Sequence, residues 1–492
     1  MATAPSATPS GAAASGAPAR PAHQAWTLVL ASLGVFMTAL DTLVVTTALP
    51  VLRVSLHGGL TDLEWTVNAY NLCFACALLT GAALGDRFGR RRMYGIGLAV
   101  FTAASAAAAL APTVGALVAA RAVQGAGAAL VMPLTLTLIS EAFPAGRRGM
   151  AIGLWGGIAG LAVAAGPVVG GAVVQGISWH WIFWLNVPIG LALIPLALTR
   201  LRESFGPDPH LDVPGLLLAG AGFFGLTWGL VRANTVGWGS GEVLASLIAG
   251  GAVVGAFLWW ERRAPAPMLP LTMFRRRRFA AANGVSFFLY AGLFGALFLM
   301  AQFFQTAQGL SPMQAGLRLL AWTAAPVVVA PLAGRLADRF GNRPFIVVGL
   351  LLQSAGLAWV AGLARPGLGF AELGVALAVA GIGTSLVFPT VANEVVAAVD
   401  DRDVGMAAGT NSALRELGGV FGVAVLASVF ARPGAYGSPD AFVDGFTSAL
   451  WVGVGLSAVG VLIGLLGPGR PAVRMPAAVT ALLGGDRVPA RR

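Results

Sequence analysis

The sequence predicts an all-α integral membrane protein with fourteen transmembrane helices: two related six-helix bundles and two inserted helices. Three observations carry that prediction. First, 57% of the 492 residues are hydrophobic and 10% are charged, with a mean hydropathy of +0.80. A soluble domain carries about 25% charged residues, so this chain has too few polar groups to cover a water-facing surface. Second, fourteen apolar runs reach the length of about 20 residues that crosses a bilayer as a helix. Third, a charged phrase occurs twice between apolar runs, as A-A-L-G-D-R-F-G-R-R-R from Ala82 to Arg92 and as G-R-L-A-D-R-F-G-N-R from Gly334 to Arg343. Asp86 and Asp338 stand 252 residues apart. Such a repeat marks two duplicated halves whose hairpins share one face of the membrane.

In chain order, residues 1–24 are mostly Ala, Pro, Ser and Gly. They bury too little apolar surface to order and are expected to form a disordered cytoplasmic tail. A signal peptide is not expected, since no charged segment and cleavage site frame an apolar stretch there. The first bundle is expected over 25–200, with spans at 26–49, 63–83, 93–112, 115–140, 149–174 and 179–199. Residues 201–278 hold the weakest pair of runs, 213–233 and 242–260, and a loop rich in Pro and Arg from Glu261 to Arg278. Setting that pair aside leaves six spans on each side, so it is read as an insertion. The second bundle is expected over 279–467, with spans at 280–304, 313–334, 344–364, 371–396, 405–430 and 444–466. Residues 468–492 read as a second cytoplasmic tail.

All 31 basic residues are arginine, and the formal net charge is +11. With fourteen spans and an inside N-terminus, eighteen loop arginines fall on the cytoplasmic side and four on the other. Positive residues stay inside, so both termini are expected in the cytoplasm. The arginine band meets anionic lipid headgroups, which accounts for the charge without nucleic acid. The Arg, Ala and Gly excess suggests a GC-rich, bacterial source, hence a bacterial cell membrane. Cys73 and Cys76 lie in an apolar run with no second pair and are read as packing residues rather than a redox or metal site. The chain has no lysine, hence no phosphate-binding loop lysine, and no Ser/His/Asp or metal-ligand constellation. An enzyme is therefore disfavoured, and no cofactor is expected. Transport would run downhill or on an ion gradient, with a small substrate, protons and lipid as partners and a monomer as the working unit.

Charged residues inside apolar runs are costly and usually functional. Asp41, Arg121, Arg415 and Glu416 are of this kind. Asp41 lies about eight residues, roughly 12 Å, from the outer end of its run, and Arg121 about seven residues, roughly 10 Å, from the outer end of its own. At matching depth they are free to pair. Such a pair serves proton coupling or a static structural role. Arg415 and Glu416 are neighbours on one helix and point about 100° apart, so each needs a partner elsewhere or one faces a wet cavity. A structural network and a substrate or proton role are both open for them. The four histidines fall in tails, loops or helix ends, which disfavours a histidine relay.

The fifth run is dense in small residues, including Gly160, Gly166, Pro167, Gly170 and Gly171. Small residues one turn apart admit close helix contact, and proline removes a backbone hydrogen bond and bends a helix. Polar and aromatic residues within the spans are candidates for an amphiphilic substrate cavity: Asn68, Asn71, Gln124, Trp155, Phe287, Gln302 and Asn411.

These motifs resemble the major facilitator superfamily, in its fourteen-spanner drug/proton antiporter branch (EmrB/QacA-type), over about residues 26–466. The resemblance rests on L-G-D-R-F-G-R-R at Leu84–Arg91 and the partial second copy at Gly334–Arg343. It rests also on L-D-T-L-V-V-T-T-A-L-P at Leu40–Pro50, R-A-V-Q-G-A-G-A-A at Arg121–Ala129, G-P-V-V-G-G at Gly166–Gly171 and R-E-L-G-G-V-F-G-V-A-V at Arg415–Val425. The first copy departs from the family pattern at Ala82, Gly85 and Arg91. The resemblance implies a major facilitator fold that rocks about a central site and exports amphiphilic drugs, antibiotics or secondary metabolites in exchange for protons. A dedicated metabolite or osmolyte carrier of the same fold is the alternative. It implies a part in proton coupling for Arg121 of the fourth helix; Asp41, Arg415 and Glu416 join it as proton-coupling candidates from their placement in apolar runs. It further implies a conformational latch of Asp86, Arg87, Gly89 and Arg90 with Asp338, Arg339 and Gly341, and an antiporter motif on the fifth helix.

Overall fold

Water-free surroundings oblige a spanning backbone to satisfy its own hydrogen bonds, and helices do so within one segment. The structure, a computed structural model, is helical throughout its described spans. It describes residues 21–467 except 57–59, 207–211, 266, 268, 270, 366 and 431–437. The first half contains α1 (Pro21–Leu56), α2 (Leu60–Phe88), α3 (Arg90–Ala109), α4 (Val114–Ala142), α5 (Ala145–Gly176) and α6 (Trp181–Arg200). The inserted pair is α7 (Val213–Val236) and α8 (Gly241–Glu261). The second half contains α9 (Arg277–Ala307), α10 (Met313–Phe340), α11 (Arg343–Leu363), α12 (Phe370–Ala397), α13 (Val404–Phe430) and α14 (Pro439–Leu466). Fourteen described helices are thus long and apolar enough to cross a membrane.

Most expected ends lie within a few residues of the observed ones, and the departures share a cause. Hydropathy marks where a run leaves the apolar layer, whereas the helix continues until its hydrogen bonding is interrupted. So α1 begins at Pro21, within the tail expected over 1–24, and runs seven residues beyond 49. The rest of that tail, and the tail at 468–492, lie outside the described residues. Asp86 and Asp338, expected in loops, belong to the last turns of α2 and α10. Each helix is ended by a glycine in the left-handed region, Gly89 at φ 102° and Gly341 at φ 88°. A side chain there would be strained, so the two hairpins need glycine at equivalent places.

The halves repeat each other in packing. The neighbours α1–α5, α2–α4, α3–α4 and α3–α6 recur as α9–α13, α10–α12, α11–α12 and α11–α14. The halves meet along two seams, α5 against α10 and α2 against α13. The inserted pair has its own small-residue interface: Gly225 abuts Gly250, and Ser246 Oγ donates to Gly225 O at 2.8 Å. Its α7 lies over the α2–α13 seam, touching both helices, with Trp65 and Trp228 ring centroids 4.9 Å apart. Large apolar side chains such as Leu217, Ile248 and Leu462 are exposed. On a spanning helix these form the lipid-facing surface.

Candidate functional site

Asp41 on α1 and Arg121 on α4 form an ion pair at 2.5 Å with both side chains fully buried inside the first half. Its surroundings complete the carboxylate. Gln124 Nε2 and Asn186 Nδ2 donate to Asp41 Oδ1 at 2.9 and 2.7 Å. Gln124 also donates to Ser105 Oγ at 2.7 Å and accepts from Arg121 Nη1 at 2.7 Å. Arg121 Nε donates to Thr66 O at 3.0 Å, and the guanidinium lies 4.3 Å from the Tyr70 ring centroid. Removing two charges from water costs several kcal/mol each, which only close pairing and further hydrogen bonds offset. Here α1, α2, α3, α4 and α6 each supply a partner, so the cluster holds the bundle's helices in register.

Arg415 on α13 is placed differently. It is 4% exposed and lies against two rings of its own half, with its guanidinium carbon 4.6 Å from the Tyr290 centroid and 5.1 Å from that of Phe388. Phe388 stacks in turn on Trp155 of α5, centroids 5.6 Å apart and planes 11° apart. This aromatic layer therefore bridges the halves. Glu416 is half-buried and forms no ion pair with its neighbour. It lies within electrostatic reach of Tyr70 and Tyr290, one from each half.

The residues expected to line one cavity are distributed over several separate contacts in this conformation. Gln124 belongs to the Asp41 cluster, and Trp155 is buried against Phe388. Asn411 donates to Asn283 Oδ1 at 3.2 Å and Ser286 Oγ at 2.7 Å, inside the α9–α13 contact. Phe287 packs on Phe421, while Asn68, Asn71 and Gln302 are half-buried on α2 and α9. The helices are in contact along both seams, which draws several of these side chains into packing contacts. A cavity of about 360 Å³ lies instead at the arginine-rich face, lined in part by Glu141, Arg148, Arg202 and Asp401.

That face carries the two hairpins. Asp338 accepts the backbone N–H groups of Gly149 and Met150, both at 3.0 Å, from the first turns of α5 in the other half. A carboxylate is stabilised near the positive end of a helix. Asp86 sits against Gly405 at the start of α13, where a Cβ would collide with its carboxylate. Unlike Asp338, it is also tied to its own half, accepting from Arg90 Nε at 2.7 Å. Arg90 is buried and pairs with Glu141 of α4 as well. Arg87 and Arg339 point outward over Phe88 and Phe340. The segment after α6 is stitched to this hairpin: Ser204 O accepts from Arg90 N, Gly206 N donates to Asp86 O, and Glu203 accepts from Arg91 and Arg92 N–H. Glu141 and Glu203 were not legible as partners, because carboxylates at helix ends ordinarily face water.

On α5, Gly149, Gly153, Gly157 and Gly160 face α10, where added side chains would meet Gly334, Ala330 and Pro326. Gly171 faces Met313 of the same helix, and Gly166 and Gly170 are buried. The small-residue stripe thus forms the α5–α10 seam and begins at Gly149, well before the motif at Gly166–Gly171. The Pro167 side chain lies outside the described residues.

Two repeated six-helix bundles, meeting along two seams and clamped at one face by paired hairpins, define a membrane transporter of the major facilitator type. The family model described as Major Facilitator Superfamily matches residues 31–281 and 282–483, and the chain belongs to that family. It is accordingly a multi-pass membrane transporter rather than an enzyme. It is 36% identical over 444 residues to the tetracenomycin C resistance and export protein of Streptomyces glaucescens, covering 89% of this chain and 81% of that one. It is 36% identical over 410 residues to the multidrug resistance protein Stp of Mycobacterium tuberculosis, covering 83% and 76%. It is 34% identical over 401 residues to the methylenomycin A resistance protein of Bacillus subtilis, covering 81% and 86%. Among solved structures, the human organic anion transporter MFSD10 superposes with a TM-score of 0.61 at 17% identity, covering 90% of this chain and 100% of that one. The proton:xylose symporter XylE gives the same TM-score and identity, covering 90% and 95%. These two likenesses concern the fold alone.

Proposed function

We propose that this transporter exports amphiphilic compounds, such as drugs, antibiotics or secondary metabolites, in exchange for protons by alternating access. The observation that carries the proposal is the fully buried Asp41–Arg121 pair, in a chain similar to proteins named for resistance and export. In this reading the arginine-rich face is cytoplasmic, with both termini inside the cell. The conformation described is then closed to the cytoplasm along both seams. Proton uptake by Asp41 would weaken its hold on Arg121 and free α1 and α4 to shift against each other. The hairpins would part as the halves rock, and one chain suffices as the transport unit.

Transport into inverted vesicles with an imposed acid interior tests this. Accumulation of an amphiphile from a panel that holds both cationic and anionic dyes, lost when the gradient is collapsed, is the expected result. A folded protein that moves no amphiphile under any gradient overturns it.

A further inference from the structure

The aromatic layer joining the halves has an unbalanced set of polar atoms. Arg415 Nε and Trp155 Nε1 are both buried hydrogen-bond donors with no acceptor. Arg415 also has no carboxylate partner among the described residues, in contrast to Arg121. Glu416 adjoins it in sequence but diverges around the helix; its carboxyl lies within electrostatic reach of the guanidinium without forming a close ion pair with it. A guanidinium deep in a spanning bundle without a paired anion is costly. Its two ring faces, Tyr290 and Phe388, offset part of that cost. The Tyr290 oxygen also accepts from the guanidinium, which leaves Nε as the donor without an acceptor. Phe388 lies in contact with both orphan donors' side chains, stacking on the Trp155 indole and lying beneath the Arg415 guanidinium.

We propose that this layer is the cargo site and that it takes a planar aromatic anion. The ring of such a ligand would stack among Trp155, Phe388 and Tyr290 as the halves part. Its phenolate or carboxylate oxygen would accept from Arg415 and from the Trp155 indole. Charge-assisted hydrogen bonds of this kind are the strong ones, and an arginine presents its donors in a fixed planar fork. The site deepens the exporter reading and rests on it for the word cargo. It gives Arg415 a substrate-binding role in place of proton coupling.

The test uses the full-length protein in nanodiscs and two fluorescent probes of similar planarity and opposite charge, fluorescein and ethidium. Binding is read by probe anisotropy, without any transport step. Wild type is expected to bind fluorescein more tightly than ethidium. Arg415→Gln is expected to weaken fluorescein binding at least about tenfold while sparing ethidium. Trp155→Phe keeps the stacking ring and removes only the N–H, so it serves if Arg415→Gln fails to fold. It is expected to weaken fluorescein several-fold. Preference for ethidium in the wild type, or fluorescein binding unchanged in whichever variant folds, overturns the proposal. Failure of both probes to move into energised vesicles, with fluorescein binding and its Arg415 dependence intact, sinks the exporter reading and leaves the anion site standing.

Discussion

Every described hydrogen bond to the Asp41 carboxylate comes from a donor: Arg121, Gln124 and Asn186. Asparagine at that position would turn an amide N–H₂ toward another donor and leave Arg121 without its counter-charge. Breaking a buried pair from one side costs about 3–5 kcal/mol. Asp41→Asn is therefore expected to lower the thermal midpoint and abolish efflux driven by a pH gradient, measured in inverted vesicles. Unchanged gradient-driven efflux would remove Asp41 from the coupling role. Ser105→Ala removes only an acceptor shared by Gln124 and Asn186. It should cost about 1 kcal/mol and leave coupling in place. Asp41 and Arg121 were legible because an ionised side chain stands out in an apolar run. Ser105 and the Thr66 carbonyl were not, since a hydroxyl or backbone oxygen in a helix is ordinary until the fold aims a donor at it.

At the scale of helices, the two hairpins are alike in sequence and unequal in attachment. Asp338 reaches only across the seam, to Gly149 and Met150 among the described partners, whereas Asp86 shares itself with Arg90 of its own half. The difference follows from one residue: the position that holds Arg90 in the first copy holds Asn342 in the second. Asn342 instead joins Glu394 and Asn393. Asp338→Asn should therefore loosen the arginine-rich face more than Asp86→Asn does. The measure is maleimide labelling from that face of Ala330→Cys, in a background with Cys73 and Cys76 replaced by alanine. Faster labelling in Asp86→Asn would reverse the ranking. The helices themselves were legible from hydropathy, as was the duplication from the repeated phrase. The breaks at Leu185 and Ala324, and the wide turn at Phe303–Ala307, were not. Apolar composition continues through them, and only local geometry sets them apart.

Over the whole molecule, if export runs in exchange for protons as proposed, the sign of the cargo decides which part of the proton-motive force drives it. Each negative charge leaving a cell gains about 2.3 kcal/mol per 100 mV of inside-negative potential. One-for-one exchange of a monovalent cation for a proton is electrically silent, whereas exchange of an anion is not. Clamping the potential at zero with potassium and valinomycin should thus slow fluorescein export and spare any ethidium export. Equal sensitivity of the two probes would argue against the charge assigned to the central layer.

Helix α7 of the inserted pair covers the α2–α13 seam, and among the described residues no outer helix packs likewise over α5–α10. A greasy molecule drifting sideways in the leaflet therefore finds one boundary between the lobes walled and the other bare. Any sideways doorway from the lipid into the middle of this protein opens on the glycine-striped flank, and the transporter has a front and a back.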